Sequence, residues 1–351
     1  MSERREDGSE WDTVEGEPQA PPRRAAQRRE TADGRRLAAA GNVLLAVLIG
    51  FVLALFLNAA GVKKAAESLP FGAKRSVAVA FMGPIAAVSH VFYIDRPNQI
   101  VRDALGKGSG EDDLGSQLAD LGKPTDGATP GVLRTPTRTQ PLRCWVGGDS
   151  MTQVFGQALV EMMRQTQVMK ATLDYRISTG LSRPDYFDWP AHLRFVVDKT
   201  QPEVIVIMFG ANDGQGVESR GKVLDFGTPA WIRLYHKRVG EAMDIAMNDG
   251  LTKVYWIGQP ITRLNDFNPR LQIMNTVYEQ EAAKRPALTY VPTWDLFTDS
   301  SGKYSDYLRD DSGTLQLMRQ NDGIHLSLVG ADRMASPVLD AIKTDFHLKK
   351  P

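Results

Sequence analysis

Leu142-Arg143-Cys144-Trp145-Val146-Gly147-Gly148-Asp149-Ser150-Met151 passes from an apolar run through two glycines and an acid to a serine, and a helix-patterned segment follows. That order spells a strand, a tight turn and a helix N-terminus. Glycine lets the backbone turn there without a side-chain clash. The first turn of a helix leaves N–H groups unpaired and carries partial positive charge, which suits an oxyanion. Ser150 sits at this turn. Taken alone, it reads first as a helix cap and only second as a nucleophile.

Downstream of this stretch, strand and helix patterns alternate. Strands are expected over 142–146, 173–177, 204–209, 254–257 and 288–291. Helices are expected over 151–164, 188–198, 231–247, 271–284 and 327–345. Strands separated by helical segments imply right-handed crossovers and a parallel sheet. The unbroken apolar run 204–209 fits a strand covered on both faces. The fold class is therefore α/β, a three-layer α/β/α sandwich with a parallel sheet of about five strands. Ligands of such sheets bind beyond the carboxyl ends of the strands. Ser150, Gly180, Asn212 and the loop after Trp294 all fall there.

Two further blocks accompany the serine. Gly210-Ala211-Asn212-Asp213 closes the apolar run 204–209, and Asp322-Gly323-Ile324-His325 precedes the last helix pattern. Gly180 ends the segment 175–179. In this order the four signals resemble the SGNH (GDSL-type) hydrolase superfamily, whose blocks are GDS, a lone Gly, GxND and DxxH. The resemblance covers residues 142–351. The preceding apolar segment and linker resemble its bacterial membrane-anchored branch, once catalogued as a domain of unknown function. The resemblance implies a flavodoxin-like sandwich and a serine esterase. It also implies an oxyanion hole built from the Ser150 and Gly180 backbone N–H groups and the Asn212 side-chain amide.

A serine hydroxyl is a poor nucleophile until a base removes its proton, and histidine is the usual base. The chain has five histidines. His90 precedes the domain, His192 and His236 sit in helix patterns, and His347 lies in the tail. His325 follows an acid by three positions on a glycine-marked turn. Asp322 is thus expected to orient His325, and His325 to deprotonate Ser150. Asp149 and Asp213 are expected to support their turns rather than react. The polar segment 298–321 leads into Asp322. Tyr304, Tyr307 and Arg309 are expected to line the substrate path there, with a solvated insertion as the rival reading. Trp231, Tyr235 and Arg238 share one helix face, for which packing is the expected role. The lone cysteine, Cys144, lies in the first strand and reads as a core thiol. No His-x3-His pair, zinc-spaced cysteine cluster or phosphate loop is present, so neither metal nor cofactor is expected.

The 42 Lys and Arg residues balance the 42 Asp and Glu, which argues against a nucleic-acid binder. Residues 1–36 are polar and poor in aliphatics, as in a disordered cytoplasmic tail. Residues 37–62 carry no charge and are long enough for one transmembrane helix. A cleaved signal peptide is the rival, disfavoured by the long tail and long apolar core. Arginines crowd the N-terminal flank, which orients the domain outside the membrane. Residues 63–105 read as a helical juxtamembrane segment. Within it, the apolar run 77–94 is short and interrupted by Pro84, which favours an interfacial or core helix over a second pass. Residues 106–141 form a Gly-, Ser- and Pro-rich linker, and 142–351 form the catalytic domain. The expected partners are an ester substrate, on an envelope polysaccharide if the domain faces outward, and the membrane through the N-terminal helix. An acyltransferase built from the same residues, and a non-catalytic envelope-binding protein that kept the fold, remain open alternatives.

Overall fold

A computed structural model of the chain describes residues 24–92, 94, 97, 133–310 and 312–348. The chain divides into two compact units, residues 1–56 and 57–351. The described part of the first unit lies in helix α1 (Arg24–Leu57), which exposes Val43, Leu44, Leu48, Phe51 and Leu53. The helix starts inside the expected 1–36 tail, of which residues 1–23 lie outside the described residues. The expected span 37–62 is helical but breaks at Asn58, where φ is −114° and ψ 23°. Asparagine competes with helical pairing through its own short amide. Among the described residues no single helix is long and apolar enough to cross a membrane. Gly41–Leu57 and Ala59–Ser68 together are, by length and composition.

The second unit opens with α2 (Ala59–Ser68) and α3 (Ala73–Val91), which pack on each other. Residues 98–105 of the expected juxtamembrane segment and linker residues 106–132 lie outside the described residues. Residues 133–141, the end of the expected linker, are held against the sheet domain. Arg134 grips both Glu203 oxygens at 2.6 and 2.9 Å and the Gln140 and Pro141 carbonyls at 2.7 and 2.9 Å.

The sheet strands are β1 (Leu142–Gly148), β2 (Met169–Tyr175), β3 (Val204–Met208), β6 (Lys253–Ile257) and β7 (Leu288–Val291). They run parallel in the order β2-β1-β3-β6-β7. Helices α4 (Thr152–Gln165), α5 (Trp189–Thr200), α6 (Pro229–Met247), α7 (Asn268–Ala282) and α8 (Leu328–Asp345) cover it. Strand residues alternate between two cores, as a period of two requires. Trp145, Ile205, Ile207 and Trp256 pack with α5, α6 and α7, while Cys144, Val146, Val206 and Tyr255 pack with α4 and α8. This is the expected three-layer α/β/α arrangement. Side chains at Asp188, Thr228 and Ser327 cap α5, α6 and α8, accepting from Ala191, Trp231 and Gly330 N–H.

The second strand begins and ends earlier than its expected 173–177. It lies at the sheet edge, with one face half open, so its apolar content is diluted, whereas Ile177 beyond it is 57% exposed. Two short antiparallel pairs were not legible: β4 (Val217–Ser219) with β5 (Lys222–Leu224), and β8 (Tyr307–Arg309) with β9 (Leu315–Leu317). The chain leaves β1 for β2 on one side and returns past β1 to β3 on the other. The order therefore reverses between β1 and β3, where a crevice opens in such sheets.

Candidate active site

Ser150 follows β1 at that crevice. Gly148 before it has φ +152°, and a Cβ there would run into the Met208 carbonyl and the Thr152 hydroxyl, so only glycine lets β1 turn against β3. The Asp149 carboxylate is fully buried and accepts from Met151 N–H at 2.9 Å and from Gly210 and Ala211 N–H at 3.0 Å each. It thereby ties the serine turn to the turn after β3. Burial pushes its pKa up to about 7, with the Asp213 charge acting in the same direction and the three N–H donors opposing.

His325 Nε2 lies 3.0 Å from Ser150 Oγ, and His325 Nδ1 lies 2.6 Å from Asp322 Oδ2. With Nδ1–H donating to the carboxylate, Nε2 keeps its lone pair and accepts the serine O–H. The other Asp322 oxygen accepts from Ile324 N–H at 2.8 Å and His325 N–H at 3.0 Å. Partial burial raises the Asp322 pKa, but the His325 ring and these two N–H donors outweigh it and hold the carboxyl below its usual range. This acid–imidazole turn stands on a residue that the sequence did not single out. Arg319 is wholly buried, donates to the Ile324 carbonyl at 2.8 Å and the Ile261 carbonyl at 2.5 Å, and lies 4.4 Å from the Phe297 ring centre. Burial pushes its guanidinium down to about 10.

Gly180 and Asn212 lie in the loops after β2 and β3. The Asn212 amide donates to the Thr179 carbonyl at 3.0 Å, which uses one of its two hydrogens. Among the described residues, no backbone carbonyl accepts from the Ser150 or Gly180 N–H. The Asp213 carboxylate accepts from Leu181 N–H at 3.0 Å, Ser182 N–H at 2.7 Å and Tyr235 O–H at 2.7 Å. It abuts Gly180 so closely that any Cβ there would collide with it. Arg238 donates to the Leu181 and Ser182 carbonyls at 3.0 Å each, and Trp231 Nε1 to the Gln215 carbonyl at 2.8 Å. The helix face read as packing thus also braces both loops. Their partners are far apart in sequence, so no local signal marks them.

Of the three residues expected along the substrate path, Tyr304 is half-buried and donates to Asp306 at 2.6 Å. Tyr307 and Arg309 lie on exposed β8, and Arg309 donates into its own turn at the Gly313 carbonyl, 2.6 Å away. Among the described residues neither of these two hydrogen-bonds to Ser150 or His325. Among the described residues no group of His, Cys, Asp and Glu has the arrangement of a metal site. The Cys144 thiol is buried, and burial raises its pKa far above the range in which it would ionise.

The family described as "Protein of unknown function (DUF459)" matches residues 143–341, more than half of the chain. No curated protein matches at a significant level. Among solved structures, a carbohydrate esterase family 3 protein from Talaromyces cellulolyticus is 12% identical with a TM-score of 0.40, over 59% of this chain and 99% of its own. A lipase from a goat rumen metagenome is 15% identical with a TM-score of 0.36, over 56% and 96%. The C-terminal catalytic domain of peptidoglycan O-acetyltransferase A from Streptococcus pneumoniae is 14% identical with a TM-score of 0.36, over 57% and 93%. Likenesses this small carry no argument about activity.

Proposed function

The chain belongs to the DUF459 family, whose description carries no activity, and from its own residues we propose a membrane-anchored serine hydrolase that cleaves O-acyl esters. The observation that carries this reading is the continuous hydrogen-bond chain Ser150–His325–Asp322, with contacts of 3.0 and 2.6 Å. Ser150 Oγ attacks the acyl carbon as its proton passes to His325 Nε2. The imidazolium is stabilised by Asp322, which remains ionised because its donors favour the charged form. Collapse breaks the bond between the acyl carbon and the alcohol oxygen, and His325 returns the proton to that oxygen. Water then attacks the acyl-serine with His325 again as base, the bond between the acyl carbon and Ser150 Oγ breaks to release the acid, and His325 returns the proton to Oγ. The Ser150 and Gly180 N–H groups and the second Asn212 amide hydrogen are the donors assigned to the oxyanion. The ester is proposed to sit on an envelope polysaccharide, with the domain outside the membrane.

Full-length protein purified in detergent should hydrolyse a small aryl acetate. Ser150→Ala should lower kcat by at least about 1,000-fold, and Asn212→Ala by about 100- to 1,000-fold. Equal rates in wild type and Ser150→Ala would refute the scheme.

A further inference from the structure

Beside the acid–imidazole turn, the loops after β6 and β7 and the start of α7 border an open cleft of about 740 Å³. That is within the size range of small-ligand sites. Its lining includes Arg263, Asn265, Gln272, Trp294, Lys303 and Tyr304, and no Asp or Glu. Arg263 makes the cleft continuous with the proposed catalytic turn. Its backbone N–H donates to the Gly323 carbonyl at 3.0 Å and its guanidinium donates to the Asn321 carbonyl. Arg263 therefore ties one wall of the cleft to the backbone that carries Asp322 and His325.

The cleft's polar groups are of three kinds. The side-chain amides of Asn265 and Gln272 are exposed and bond to no described residue, so each offers a donor and an acceptor. The half-buried Trp294 indole supplies an aromatic surface. Lys303 is exposed and its ammonium has no ion pair within 4 Å among the described residues. Two neighbouring acids, Asp299 and Asp306, already hold partners of their own. Asp299 accepts from Ser301 N–H, Ser301 Oγ and Lys303 N–H at 2.8, 2.7 and 3.0 Å. Asp306 accepts from Tyr304 and pairs with Arg263 at 3.5 Å. A ligand complementary to this set carries hydroxyls for the amides, a C–H face for the indole and an anionic group for Lys303.

The geometry points to this cleft as the site for the alcohol half of the substrate, an acidic saccharide whose acylated hydroxyl reaches Ser150. This rests on the proposed esterase chemistry for its place in the reaction, but the binding itself does not.

The test uses full-length Ser150→Ala protein in detergent, which holds a ligand without turnover. Tetragalacturonate is the acidic probe and maltotetraose the neutral one, each titrated by calorimetry. Tetragalacturonate should bind at least about tenfold more tightly than maltotetraose. Lys303→Glu should remove that preference, while Gln272→Ala should weaken both. Both side chains are exposed, and unchanged melting temperatures would show that the variants fold. Equal binding of the two probes, no binding of either, or an unaltered preference in Lys303→Glu would overturn the assignment. Aryl acetate hydrolysis by the Ser150 protein is measured separately. Its absence with saccharide binding retained would sink the chemistry and spare the cleft; hydrolysis without binding would do the reverse.

Discussion

Asp149 links the serine turn to the glycine turn after β3, and its burial has a consequence for pH. A carboxyl whose folded pKa is raised holds its proton in the native state between about pH 4 and about pH 7, where the unfolded chain has already lost it. The folded state then binds more protons, so stability falls as pH rises through that window and is lowest above it. Denaturant midpoints measured from pH 4.5 to 8 should decline with pH, and Asp149→Asn should flatten the slope. A wild-type midpoint that rises across this window would contradict the assignment. Arg319 makes a second case. Removing it leaves the Ile261 and Ile324 carbonyls unpaired inside the protein, at about 1–3 kcal/mol each. Arg319→Met should lower the melting temperature and reduce kcat on the aryl acetate, since Ile324 adjoins His325. An unchanged kcat would mean that the turn keeps its geometry without this support.

Helix α6 contributes one face to three tasks. Trp231 and Tyr235 stack with ring centres 4.6 Å apart, Tyr235 reaches Asp213, and Arg238 holds the two carbonyls after Gly180. Its spacing was visible as a face, but the loops it braces come from β2 and β3 and could not be read from the helix. The α2–α3 pair has a similar dependence on a remote residue. Arg183 is buried in the loop between β2 and α5. It donates to the Glu67 and Leu69 carbonyls at 2.6 and 2.8 Å and lies 4.5 Å from the Phe71 ring centre. Arg75 pairs with Asp185 at 3.1 Å. Arg183→Ala should free the segment between α2 and α3, so that chymotrypsin cuts after Phe71 faster than in wild type. If the cleavage rate stays the same, this contact does not hold the pair in place.

For the molecule as a whole, the expectation of one uninterrupted membrane helix becomes two helices broken at Asn58, which only together have the length and apolar content to cross a bilayer. Helix α3 adds exposed Val77, Phe81, Val88 and Val91 beyond them. Full-length protein expressed in bacteria should remain in the membrane fraction after an alkaline carbonate wash. Recovery in the wash supernatant would refute anchoring. The sheet tells a different story, because four strands were placed within a residue or two and only β2, one of its two edge strands, slipped. Central strands are apolar on both faces and announce themselves, whereas β2 mixes buried with open positions and is followed by the apolar but exposed Ile177.

Apolar periods and turn residues were enough to determine the α/β class, the five parallel strands, and the placing of Ser150, Gly180 and Asn212 at strand ends, because these signals act within a few neighbouring residues. Folding alone decided that Ser150 and His325, 175 positions apart, stand 3.0 Å from one another. It alone supplied Asp213 with its partners on the Gly180 loop, seated Arg319 beneath the acid–imidazole turn and opened the cleft beside it. Those pairings satisfy buried polar groups across distant segments, and such groups are matched by packing in three dimensions, which leaves no pattern along the chain.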